Sequence, residues 1–375
     1  MQGSGDGRMK PRVSVVMPVY NSGRANLEES IGSVLAQTLE EIELICVNDA
    51  STDTSEEVLR EFESKDDRIC VISLPRNRGT LEARTIGFLK ASGDYVVPLD
   101  PDDFLYPDAC RCLCGEMDVN GWVMAQFGVR IFPGDASSEG EWGDSAERLF
   151  SPEKPSECSC GAFALDLFVN RRRSWGMGGK VFRREELVST VRSIPSGYCV
   201  NGEDGLVLLA LLESIDGRVG IIKEKLYNYR WGRGISTTKA FSATRMDNMI
   251  RSAVFACRFL NSRPSRCAES YARMLARNIV AEIVYRARPE SFRKSAMVSL
   301  SEGISIQLLD RAFEDLNVSY AFLRRCAMAM KMMFARKHKR RLRLRRRLAL
   351  ARRIAMLVRL MHSVVGPKRT MQNII

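Results

Sequence analysis

Asp100-Pro101-Asp102-Asp103 places three carboxylates within four residues, directly behind the apolar run Asp94 to Leu99 (DYVVPL). Carboxylates this close repel one another unless a cation neutralises them. Mn2+ or Mg2+ takes oxygen ligands and keeps waters and substrate phosphates in its shell. In an extended chain the alternation of side chains sends Asp100 and Asp102 the same way, so both can reach one metal–diphosphate. The competing account is an acidic turn with a helix N-cap ahead of Leu105, which would use one Asp and not three. Further polar clusters accompany the acidic run: Pro18-Val19-Tyr20-Asn21, Asn48 to Asp53, and Asn77-Arg78-Gly79 followed by Ala83-Arg84. The last adds a flexible glycine and a cation that a diphosphate can use. Gly202-Glu203-Asp204 stands just ahead of the apolar stretch Leu206 to Leu212.

These clusters need a scaffold, and the hydrophobic pattern supplies one. Arg12 to Val19, Ile42 to Val47, Ile69 to Leu74 and Asp94 to Leu99 read as strands, rich in β-branched residues and closed by turn formers. Leu27 to Leu39, Ser55 to Lys65 and Gly79 to Ala91 read as the helices between them. Alternation of this kind predicts a parallel α/β sheet with right-handed crossovers and a crevice at the carboxyl ends of its strands. The clusters after Val19, Val47 and Leu99 all fall there. Phe132 to Cys160 reads as a long loop rich in Gly, Ser, Pro and Glu, which suits a lid. Leu226 to Trp231 reads as a late strand, and the chain turns helical from Phe241 to Arg286.

In this order the clusters resemble the nucleotide-binding half of family 2 glycosyltransferases, inverting enzymes with a GT-A fold. That pattern has P-x-Y-N after the first strand, D-x-S-x-D after the second, N-x-G-x-x-x-A-R, then L-D-x-D-D, and residues 13–105 supply all four. Downstream, Gly179-Lys180-Val181-Phe182-Arg183-Arg184-Glu185 resembles the K-x-F-R-x-E segment that follows a Trp, here Trp175. Gly202-Glu203-Asp204 resembles the E-D motif at a helix start, and Leu226-Tyr227-Asn228-Tyr229-Arg230 the Tyr-x-Tyr-Arg strand. Two positions depart: Ala50 stands where Gly is more usual, and Gly205 where an apolar residue is common.

The resemblance implies an α/β GT-A fold with a mixed, mainly parallel central sheet over residues 11–236. It is preceded by a flexible leader at 1–10 and followed by a helical extension at 237–315 and a basic amphipathic tail at 316–375. It further implies transfer from a UDP-sugar, with Mn2+ or Mg2+, to a glycan or lipid-linked acceptor in cell-surface polysaccharide synthesis. Asp49 would hydrogen-bond the uracil beside Tyr20, with Pro18, Asn21 and Asn77 among the nucleotide contacts. Asp102 would be the main metal ligand, and Asp100 would meet the ribose or the metal's outer shell. Arg84 would lie near the base or diphosphate. Lys180 would touch the donor sugar or phosphate, or else be a salt-bridge residue. Trp175 and Asp103 would lie on the acceptor side, although a core Trp is the plainer account of Trp175. An inverting transfer needs a base for the acceptor hydroxyl. The only histidines are His338 and His362, so in the catalytic half a carboxylate must serve. Asp204 is the choice the resemblance gives, with Glu203 orienting it; the alternative is that both merely cap the helix.

Charge locates a second feature. The chain has 57 Lys/Arg against 45 Asp/Glu in 375 residues, yet 17 of the basic residues and no acidic one follow Asp315. The body is mildly acidic and the tail strongly basic. Arg345, Arg352 and Arg359 recur along one helical face, with Leu350, Ile354, Leu357 and Met361 along another. Residues 324–361 therefore suit peripheral docking on an anionic membrane surface, which gives a cytoplasmic protein on the inner face of the cell membrane. A partner or a second copy is the next account of the stripe. Nucleic acid is the least favoured, since no aromatic follows Phe334 to stack on bases. Neither a signal-peptide pattern nor an apolar run of spanning length stands out. The C-x-C spacings at Cys110, Cys112, Cys114 and at Cys158, Cys160 do not suit zinc. The Q-x-x-R-W of processive members is absent, and so is the G-x-G-x-R loop a sugar-phosphate nucleotidyltransferase would carry. A non-catalytic binding module acting through the tail remains the other alternative.

Overall fold

A computed structural model describes residues 10–133, 150, 154–231 and 243–281. Nine strands form one sheet in the order β3-β2-β1-β4-β8-β6-β9-β5, with β7 paired to β9. The first four, β1 (Val13–Val19), β2 (Ile42–Asn48), β3 (Ile69–Ser73) and β4 (Tyr95–Pro98), are mutually parallel. All seven residues of β1 are buried, as a central parallel strand covered on both faces requires. Helices α1 (Arg24–Leu35), α2 (Ser55–Glu63) and α3 (Thr80–Lys90) make the crossovers.

Alternation along β1 divides the core. Val13, Val15, Met17 and Val19 pack with α1, α2 and α4 (Ala109–Asn120), whereas Val16 packs with Leu81, Ala83 and Phe88 of α3 on the other face. Contact on that second face is close: a Cβ at Gly87 would lie 2.3 Å from Val16 Cγ1. Layered helix–sheet–helix packing follows.

After β4 the sheet is mixed. β8 (Lys180–Arg183) runs antiparallel to both β4 and β6 (Met124–Pro133), and β6 runs parallel to the long β9 (Arg218–Trp231). β5 (Phe104–Leu105) and β7 (Ser156–Ser159) each pair antiparallel with β9. Two local expectations are corrected here. The end of the supposed loop forms β7, a mostly exposed strand that hydrogen-bonding to β9 stabilises without an apolar pattern. The late strand begins at Arg218 rather than Leu226, because the charged Lys223-Glu224-Lys225 run crosses a bulge opposite Gly128. Residues 134–149 of that loop lie outside the described residues.

The face of the sheet that bears α3 also carries α5 (Cys160–Ala164), the π-helical turn Leu165–Val169, α6 (Arg184–Ser193) and α7 (Glu203–Ser214). Two helices of the expected extension, α8 (Ala243–Leu260) and α9 (Arg266–Ala281), join the same core through Ala253, Ala256, Leu260, Tyr271 and Leu275. Residues 1–9 of the leader and the whole tail, including residues 324–361, lie outside the described residues. Among the described residues no helix is long and apolar enough to cross a membrane.

Candidate active site

The carboxyl ends of β1, β2 and β4 open side by side, because the three strands are in parallel register. Behind β1, Tyr20 stands 47% exposed. Asn21 turns back through φ 51°, and its Oδ1 accepts from Thr52 N at 2.7 Å. Asn21 thus ties the loops after β1 and β2 together. Pro18 is buried inside β1 and shapes the strand end.

Asp49 follows β2, is 3% exposed, and accepts from Arg78 N at 2.6 Å and Gly79 N at 2.8 Å, one bond to each carboxylate oxygen. Burial pushes its carboxyl up, and those two amides pull it back. Gly79 holds φ 86°, a conformation that costs glycine little. A Cβ there would press on Val200 Cγ1 at 3.0 Å and Tyr198 Cδ2 at 3.2 Å. Asn77 is half-buried on the approach to α3.

The acidic run after β4 separates into two roles. Asp100 and Asp102 are partly exposed, and their hard oxygen donors fit Mn2+ or Mg2+. Among the described residues no three His, Cys, Asp or Glu side chains converge as a metal cage. The protein would thus supply two carboxylates and leave phosphate and water to complete a shell. Asp103 departs from its expected place on the acceptor side. It is 1% exposed, and it accepts from Tyr227 Oη at 2.7 Å and Arg230 N at 2.8 Å. Burial raises its carboxyl well above the usual range, with Asp102 and Asp100 adding to the rise. Tyr227 Oη in turn accepts from Asp100 N at 3.2 Å. One phenol on β9 therefore fixes both ends of the run. The Tyr-x-Tyr-Arg segment was visible in the sequence, but nothing local tied Tyr227 to residues more than 120 positions away.

Arg84, on α3, reaches across the crevice. Its Nη2 donates to Asp100 Oδ1 at 2.6 Å and its Nη1 to Asp204 Oδ1, with Glu203 Oε1 at 3.6 Å from Nη1. Burial opposes the charge of this guanidinium, but Asp204, Asp100 and Glu203 more than offset it. Glu203 and Asp204 occupy the first turn of α7, where the helix dipole favours negative charge. Asp204 Oδ2 also accepts from Met177 N at 3.0 Å. Burial raises its carboxyl while Arg84 lowers it. Burial, reinforced by Asp204, pushes Glu203 up to about 8.

Lys180 also departs from its expected place. It is fully buried at the start of β8, and Nζ donates to Ser174 O at 2.9 Å and to Gly176 O. An ammonium so enclosed is driven down to about 7 by desolvation. Lys180 thus fastens from beneath the loop whose Met177 amide holds Asp204. Trp175, in that loop, is partly buried and meets Tyr271 edge-on at 6.5 Å between ring centroids.

Residues 14–157 match the model of Glycosyl transferase family 2. An uncharacterised glycosyltransferase of Haemophilus influenzae is 44% identical over 114 residues, 30% of this chain and 45% of that protein. The putative teichuronic acid biosynthesis glycosyltransferase TuaG of Bacillus subtilis is 43% identical over 94 residues, 25% of this chain and 37% of its own. The chain thus spans less than half the length of these curated relatives. In structure, S. aureus TarS 1–349 in complex with UDP-GlcNAc superposes with a TM-score of 0.53 at 17% identity, over 86% of this chain and 87% of that one. At that identity the likeness establishes the α/β GT-A fold.

Proposed function

We propose that this chain, a member of Glycosyl transferase family 2 through residues 14–157, moves a sugar with inversion from a UDP-sugar to a glycan or lipid-linked acceptor. One observation carries the proposal: Arg84 joins Asp100, on the expected donor side, to Asp204, on the expected acceptor side, within one crevice. Tyr20 and Asp49 would receive the nucleoside. Asp102, with Asp100, would hold Mn2+ or Mg2+, whose charge steadies the departing diphosphate when bound.

Asp204 takes the acceptor's proton. A carboxylate offers about four lone-pair sites, so the bonds from Arg84 and Met177 leave room for a hydroxyl. Burial makes Asp204 a stronger base than a solvated aspartate. As the acceptor oxygen bonds to the anomeric carbon, the bond from that carbon to the diphosphate oxygen breaks. UDP leaves with the electron pair, and Asp204 retains the proton. Burial and the neighbouring Asp204 both raise the Glu203 carboxyl, which favours its protonated form beside Asp204. The similarity to TuaG favours a cell-surface polysaccharide as product. The tail at 324–361 would hold the protein at the cytoplasmic face of an anionic membrane.

Titration calorimetry with UDP tests the donor site. Binding is expected with Mn2+ and not with chelator, and Asp102→Ala should abolish it; metal-independent binding would remove the metal assignment. Asp204→Asn should keep UDP affinity and lose transfer, and a fully active variant would remove Asp204 as base. UDP-GlcNAc, which the S. aureus TarS complex contains, is the first donor to try.

A further inference from the structure

Helices α8 and α9 lie beyond both the matched segment and the stretch that resembles family 2, yet they grip the loop leading into Glu203-Asp204. Ser252 on α8 is fully buried, and its Oγ accepts from Val200 N at 3.1 Å and Asn201 N at 3.3 Å. Tyr198 Oη donates to Asn248 Oδ1 at 3.2 Å. Tyr271 on α9 is fully buried and donates its hydroxyl to Gly202 O, the residue just ahead of Glu203.

The Tyr271 ring fills a slot that the sequence leaves open for it. A Cβ at Gly205 would lie 2.6 Å from Tyr271 Cε2 and 3.0 Å from Trp175 Cε3. A Cβ at Gly202 would lie 2.9 Å from Tyr271 Oη and 2.7 Å from Leu275 Cδ2. Phe168 closes the far side edge-on, at 5.5 Å between centroids. The departure at Gly205 thereby acquires a physical reason: the space an apolar side chain would take is occupied by a ring from the extension. The same loop also reaches the donor side, where Leu81 N donates to Cys199 O at 3.0 Å and Gly79 abuts Val200.

From this geometry we infer that Tyr271 and Ser252 are positioning residues for the Glu203-Asp204 pair, so that the extension is part of the catalytic apparatus and not an appendage. The inference rests on Asp204 acting in the transfer. Without the two anchors, the first turn of α7 keeps its sequence but loses the contacts that aim Asp204 into the crevice.

Tyr271→Phe keeps the ring and removes only the bond to Gly202, and Ser252→Ala removes the acceptor for two amides. Two independent measurements on the full chain decide the matter. Hydrogen exchange should show the amides of residues 200–206 exchanging about tenfold faster in each variant, with β1 to β4 unchanged. Steady-state kinetics, with whichever UDP-sugar of a panel the wild type hydrolyses fastest, should show kcat lowered about tenfold while KM and UDP affinity hold. Wild-type exchange and wild-type kcat in both variants would overturn the inference. A rise in KM with kcat intact would also overturn it, in favour of a donor-binding role. If the wild type hydrolyses no UDP-sugar, the proposed transfer fails, while the exchange experiment still decides whether the anchors hold the E-D turn.

Discussion

Arg84 Nη2 lies 2.6 Å from Asp100 Oδ1, and the other terminal nitrogen of the same guanidinium serves Asp204. A planar guanidinium bridges the two carboxylates with preset geometry, which a compact ammonium on a flexible stem does not reproduce. Removing the guanidinium leaves the half-buried Asp100 and Asp204 carboxylates without their cation, a loss of about 3 kcal/mol. Arg84→Ala is therefore expected to lower the denaturation midpoint at pH 7 and to weaken UDP binding together. Arg84→Lys should recover part of the stability and little of the binding. A lysine variant with wild-type affinity would show that the bridge is dispensable.

Stability should vary with pH in two opposed windows. Glu203 titrates near 4.5 unfolded and about 8 folded, so between those values the folded chain binds more protons than the unfolded chain and stability falls as pH rises. Lys180 titrates near 10.5 unfolded and about 7 folded. From about pH 7 upward the folded chain binds fewer protons there, and stability rises. Together the two groups place a minimum near neutrality. Urea denaturation across the range should show it, with Glu203→Gln flattening the acidic side and Lys180→Met the basic side.

Ala50 holds φ 58°, the left-handed region that disfavours any side chain with a Cβ. Ala50→Gly relieves that strain at some cost in unfolded-chain entropy, for a net gain of about 1 kcal/mol. Calorimetry should find Tm raised by about 2–4 °C. An unchanged or lowered Tm would mean that the turn after β2 is not strained.

Deleting residues 324–375 removes all 17 basic residues beyond Asp315. Flotation with vesicles containing phosphatidylserine should drop, and high salt should reproduce the loss in the intact chain. Equal flotation with and without the segment would assign the basic stripe to another partner.

The four parallel strands were legible in the sequence because buried β-branched runs and their turns are local signals. Asp49, Asp100 and Asp102 were legible as residues at strand ends for the same reason. What stayed hidden depends on pairings across the sheet. Asp103 and Asp102 look equivalent in the sequence, and only docking of β9 turns one inward to Tyr227. Lys180 resembles a ligand contact until the 174–176 carbonyls close over it. The strand β7, mostly exposed and polar, carried no periodicity to find.

The bond between Tyr227 Oη and Asp100 N spans 127 positions, which bears on the order of events as the chain folds. Strands β1 to β4 can pair through short crossovers early, since nearby segments meet at the least entropic cost. The donor loop takes its shape only when β9 arrives to hold it. A nascent chain that has completed only its first four strands would thus be folded in outline while the acidic run after β4 still lacks its anchor on β9, and the proposed donor site would be completed last.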